Sequence, residues 1–182
     1  MAGLTQAKKI AFTAAFSALC CVATLCLSIP LPASGYFNIG DVFVLFSGWC
    51  LGPIYGSIAA AIGSSMADIV LGYGVYAPAT FFIKGLDAFL AYSIWSLLKN
   101  FIKKERLDFL SRAVSAVIGE TVMAVGYFLF DALISGSFSA AAPNLLGNGM
   151  QGLCCAVCAV IIVSMLYPIK KVRTIFPFLN EK

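Results

Sequence analysis

YFNIGDVFVLFSGWCLGPIYGSIAAAIGSSMADIVLGYGVYAPATFFIKGLD, residues 36–87, sets charged and helix-breaking residues inside otherwise unbroken apolar sequence. A charge at the centre of a membrane helix costs about 2.5–3.5 kcal/mol even on insertion scales, so Asp68, Lys84 and Asp87 each need a partner or a task. Gly52-Pro53, Gly72-Tyr73-Gly74 and Ala77-Pro78 interrupt the helical runs. In a bilayer such backbone survives only where protein or a watery cavity satisfies it, so the stretch predicts a buried polar cavity.

Outward from this stretch, the whole 182-residue chain is 61% hydrophobic and 11% charged, with a mean hydropathy of +0.96. That composition excludes an ordinary soluble domain and predicts an integral membrane protein. At roughly 20 apolar residues per span, the length holds six or seven helices at most and leaves no room for a soluble catalytic domain. One membrane domain is expected over residues 1–182. The first apolar run, 10–29, is longer than a signal-peptide core and is followed by no A-x-A-like site, so it is expected to stay in the chain. The seven cysteines all fall in apolar segments and are read as reduced core residues. With no histidine in the chain and no second cysteine pair at ligand spacing, neither a metal nor a cofactor is expected. Nor is a nucleic-acid partner.

The fold class read from this pattern is all-α and polytopic, with six transmembrane helices over approximately 8–29, 39–51, 53–71, 79–98, 111–134 and 144–167. Charge supports the number. With six spans the basic lead, the segment 99–112 and the basic tail share one face, and the loops on the other face lack Lys and Arg, which places both termini in the cytoplasm. The second helix is short: the eleven residues from 41 to 51 reach only about 16 Å, against a hydrocarbon core of about 30 Å. Residues 28–40 read as a surface loop able to cover something, and 135–143 as a loop of small residues. Tyr73 and Tyr76 are read at interface depth.

Three helices each carry a polar stripe. Thr80, Lys84 and Asp87 lie four and three apart; Glu120, Tyr127 and Asp131 seven and four; Asn144, Asn148 and Gln151 four and three. At about 1.5 Å per residue, Lys84, Tyr127, Asp131, Asn148 and Gln151 fall within roughly 12 Å of the outer surface, where they could surround one ligand. Glu120 lies deeper. Lys84 has two readings, a ligand contact or a fold-fixing ion pair with Asp68 or Asp87. A cavity lined by a lysine, carboxylates, amides and aromatic rings suits a small, planar, polar metabolite and suits an ion pore poorly. No P-loop is present, so any ATP drive must come from another protein. On the first helix Ala7, Ala11 and Ala15 recur every fourth residue, a flat row that serves either internal packing or docking to another subunit.

N-x-G-D (Asn38 to Asp41), L-G-P-x-x-G (Leu51 to Gly56), A-D-x-x-x-G-Y (Ala67 to Tyr73) and Y-x-P-x-T-x-x-x-K-G (Tyr76 to Gly85), with the alanine row, resemble the S component of energy-coupling factor (ECF) vitamin transporters. The likeness covers nearly the whole chain. It implies a small binding subunit in a prokaryotic-type cell membrane, which docks on a T transmembrane subunit bearing two ABC ATPases and topples to release its vitamin inside. Ala7, Ala11 and Ala15 would then be the partner-docking row, and the loop after the first helix the lid. The motif style is similar to the branch for pyridoxine-type or hydroxymethylpyrimidine-type precursors, with riboflavin-like vitamins as competitors. Stripes and motifs together give the candidate substrate-binding set Asn38, Asp41, Tyr76, Thr80, Lys84, Tyr127, Asp131, Asn144, Asn148 and Gln151. Two rivals remain. A self-sufficient secondary transporter would favour inverted repeats, which the halves do not show. A membrane enzyme using Asp68 or Glu120 lacks histidine, a serine elbow and metal ligands.

Overall fold

The structure, a computed structural model, describes residues 5–30, 35–102 and 108–180. Expectations for parts of the basic lead, the tip of the covering loop, much of the 99–112 segment and the last two residues lie outside the described residues. Its elements are α1 (Gln6–Cys26), β1 (Ser28–Pro30), β2 (Tyr36–Asn38), α2 (Asp41–Leu71), α3 (Ala77–Phe101), α4 (Asp108–Ser135), α5 (Phe138–Leu166), the short α6 (Lys170–Ile175) and a final 3-10 turn, Pro177–Asn180. The five helices α1 to α5 are each long and apolar enough to cross a membrane.

The second and third predicted spans are the two limbs of α2. Gly52 has φ 80° and ψ −178°, a conformation essentially reserved for glycine, and Pro53 then supplies the fixed φ that starts a new helical run. The reversal is sharp: Ser47 Oγ donates to the carbonyl of Gly56 at 3.0 Å, and a Cβ on Gly56 would strike the backbone of Ser47 and Gly48. A straight helix would hold residues nine apart about 13 Å from each other. The limbs 41–51 and 53–71 therefore run back to back, so that with α1, α3, α4 and α5 the bundle holds six helical segments, of which 41–51 is short. Gly48 against the Ala88 carbonyl and Gly63 against the Ser17 carbonyl let α3 and α1 approach these limbs at backbone distance.

The short limb leaves half the bundle depth unfilled beneath it, and other parts of the chain fill it. Trp49 donates to the Ala91 carbonyl at 3.0 Å, and the Arg112 guanidinium lies 4.1 Å from the Trp95 ring and 5.5 Å from the Trp49 ring. Asp108 holds Arg112 Nε at 2.8 Å and Trp95 Nε1 at 2.9 Å. Arg112, read with the basic segment 99–112 at the start of the fifth span, is buried inside the bundle because α4 begins at Asp108. Beneath them the final turn closes the space: Phe178 meets Gly52, Leu179 is fully buried, and its carbonyl accepts from Arg112 at 3.2 Å. We call this the terminal end, since Phe176 also stacks on Phe12 of α1 at 5.2 Å.

Two expected loops are more ordered than the sequence suggests. Ser28–Pro30 and Tyr36–Asn38 form an antiparallel pair, with Ser28 opposite Asn38 and Pro30 opposite Tyr36. The 135–143 loop is largely helix: α5 starts at Phe138, capped by Ser137, and carries Pro143 inside it. Proline is read as a helix start or stop, and here it sits in the second turn of a helix whose neighbours hold it straight enough to continue.

Candidate functional site

At the opposite end a cavity lies among β2, the second limb of α2, α3, α4 and α5. It is lined by Thr24, Gly35, Tyr36, Asn38, Ser64, Asp68, Tyr73, Tyr76, Thr80, Lys84, Tyr127, Asp131, Asn148 and Gln151. Of the ten candidate substrate-binding residues, Asn38, Tyr76, Thr80, Lys84, Tyr127, Asp131, Asn148 and Gln151 line it. The other two stand directly behind. Asp41 is the ion-pair partner of Lys84, and Asn144 Nδ2 donates to Asp131 at 2.9 Å.

The pairing of Lys84 with Asp41 corrects the expected bridge to Asp68 or Asp87. Asp41 opens α2, and the reversal at Gly52 returns the rest of that helix so that both its ends reach cavity depth. Both members of the pair are buried. Asp41 is further held by Gln151 Nε2 at 2.5 Å, and Gln151 Oε1 accepts from the Asn38 backbone N–H at 2.7 Å. Asn38 Oδ1 in turn accepts from the Gly40 N–H at 2.8 Å. One polar chain thus ties α3, α2, α5 and the strand pair together. The Lys84 ammonium also lies 5.3 Å from the Tyr127 ring centre, and Tyr127 shares a 2.8 Å hydrogen bond with Thr80.

The wall nearer the mouth is aromatic. Tyr36 and Tyr73 rings are 5.0 Å apart, Tyr73 and Tyr76 6.3 Å, and Tyr76 and Phe130 5.4 Å. The left-handed cap at Gly72 (φ 87°) turns the chain so that the Tyr73 N–H bonds the Asp68 carbonyl at 2.8 Å, which sets the Tyr73 ring beside Asp68 and Tyr36. Tyr76 donates to Asp131 at 2.6 Å, and Tyr36 to Asp68 at 2.5 Å. Burial and then the Asp68 carboxylate push the Tyr36 phenol above its usual range, which keeps it a donor.

Tyr36, Tyr73, Asp68, Thr24 and Ser64 are lining residues absent from the candidate set. Tyr73 was read as an interface anchor, and only the Gly72 cap could have signalled its inward turn. Two members of the stripes go elsewhere. Asp87 is wholly buried against Gly119 of α4, and Glu120 packs on Gly152 and lines a separate apolar groove between α4 and α5. The alanine row Ala7, Ala11 and Ala15 is exposed along α1, so it does not serve packing within this chain. No cluster of metal-ligating side chains occurs among the described residues.

Comparison with known proteins places this geometry. Residues 5–168 match the profile described as ECF-type riboflavin transporter, S component. An uncharacterized protein of Pyrococcus woesei is 32% identical over 107 residues, 58% of this chain and 66% of that relative, so the match spans just under two thirds of the relative's length. The solved structure of the S component of a bacterial ECF transporter superposes with a TM-score of 0.70 at 20% identity, covering 92% of this chain and 99% of that one, and shows the same fold. S components are binding subunits of transporters and not enzymes. With a family match across almost its whole length and a bundle of that fold around a polar cavity, the chain belongs to the ECF-type riboflavin transporter S component family, the substrate-binding membrane subunits of multi-pass ECF transporters in the plasma membrane.

Proposed function

We propose that the cavity binds a vitamin or vitamin precursor of pyridoxine or hydroxymethylpyrimidine size from outside the cell, for ATP-driven uptake with a T subunit and two ABC ATPases. The observation that carries this is the lining itself. Tyrosine rings form one wall, while Asn148, Gln151 and Thr80 offer hydrogen-bonding edges to a planar polar ring. The enclosed space is about 40 Å³, a few waters' worth, so a ligand enters only if the strand pair carrying Tyr36 and Asn38 lifts. The exposed Ala7, Ala11 and Ala15 row supports docking of a partner helix, and the basic residues near the terminal end support cytoplasmic termini.

Uptake of labelled substrate by vesicles tests the reading. Transport is expected only when the T subunit and ATPases are co-expressed; uptake by this chain alone would replace it with the secondary-transporter reading. Mass spectrometry of the small molecule retained on purification should return a single-ring vitamin or precursor.

A further inference from the structure

The cavity's charges are not balanced by its lysine. Lys84 is the lining cation among the described residues, and its charge is taken up from behind by Asp41. Asp68 also lines the cavity. Its side chain is only 3% exposed; one carboxylate oxygen accepts from Tyr36, and the other, Oδ2, has no well-formed hydrogen bond among the described residues, since the nearby Thr80 hydroxyl is shared with Tyr127. A buried carboxylate oxygen without a donor of its own is costly unless something supplies one, and a cation supplies both donor and charge. Aromatic rings stand near it: Tyr36 donates to Asp68, the Tyr73 ring is tilted against Tyr36 at 5.0 Å, and Tyr76 meets Tyr73 edge-on at 6.3 Å. Aromatic rings beside a carboxylate suit an organic cation.

We propose that this cavity selects a ligand bearing a protonated aliphatic amine, which Asp68 Oδ2 receives beside the Tyr36 ring. The inference rests on the cavity being the substrate site and adds the charge of the substrate. It separates this chain's ligand from uncharged flavins by chemistry. Lys84, already paired, makes no demand for an anionic group.

Titration calorimetry on the ligand-freed protein in detergent tests it with three probes: pyridoxamine, pyridoxine and riboflavin. At neutral pH the first two differ by an aminomethyl ammonium in place of a hydroxymethyl group. Pyridoxamine is expected to bind at least tenfold more tightly than pyridoxine. Asp68→Asn, of the same shape and without charge, should remove the advantage of pyridoxamine over pyridoxine. Tyr73→Leu, which leaves the carboxylate in place, should weaken pyridoxamine more than pyridoxine, and serves if the Asp68 variant melts too early to measure. Equal or tighter binding of pyridoxine or riboflavin, or no binding of pyridoxamine, overturns the charge selection. If such a neutral probe is lost on Asn148→Ala, the cavity remains the site. A probe whose affinity neither Asn148→Ala nor Asp68→Asn alters would overturn the cavity reading as well.

Discussion

Lys84 and Asp41 are 43 positions apart and meet in the interior, where each is nearly inaccessible. Taking one charge from a buried pair strands the other, at a cost of about 3–5 kcal/mol. Lys84→Met is therefore expected to lower the melting temperature markedly, and Asp41→Asn in the same chain to recover most of the loss; a thermal melt of the two variants side by side checks this. If Lys84→Met melts like the parent, the pair contributes nothing to stability. The stripe spacing did identify Lys84 as an inward-facing residue, because positions four apart on a helix share a face whatever the rest of the fold does. Its partner was not legible. Asp41 reaches it only through the reversal at Gly52, a long-range consequence of one backbone conformation. Glu120 was legible in the same way: it shares a face with Tyr127, but a separation of seven positions, about 10 Å of helix, carries it deeper, below the cavity, as its position in the sequence indicates.

At the scale of the element, α2 depends on Gly52. A side chain there faces two penalties: a backbone conformation that costs about 1–3 kcal/mol for other residues, and a Cβ 2.9 Å from the Phe178 ring. Gly52→Ala should destabilise the protein by at least that amount. Combining it with Phe178→Ala should relieve only the steric part, as measured by chemical or thermal unfolding in detergent. Full recovery in the double variant would mean that the backbone conformation itself carries no strain. Gly52-Pro53 was readable as a break, and the short reach of 41–51 was readable from its length. The pair of β1 and β2 was not, since three-residue strands held by Asn38 and its bond to Gln151 leave no periodicity to detect. Nor was the early start of α5, where Pro143 reads as a boundary and is overruled by packing.

At the scale of the whole molecule, the alanine row and the cavity lie on different parts of the bundle, which predicts separable defects. Ala11→Trp or Ala15→Trp should abolish uptake in vesicles holding the complete transporter while leaving ligand affinity of the isolated subunit unchanged; a loss of affinity with complex assembly intact would tie the row to the cavity. Deleting residues 176–182 removes Phe178 and the fully buried Leu179 and strips Arg112 of a carbonyl partner. At about 1.5–3 kcal/mol for each large apolar side chain returned to solvent, the truncated chain should melt well below the parent. Six helical segments, their order and the polar end were all legible from charge and period; the floor was not, because a short basic tail gives no sign that its last turn folds inward. Under the proposed function, that floor bears on how a bound ligand would leave: a vessel stoppered at its base by Phe178, Leu179 and the Arg112 cluster would fill and empty by the same rim, so delivery across the bilayer would need the vessel to turn, with the flat stripe along α1 as the edge a neighbour would hold.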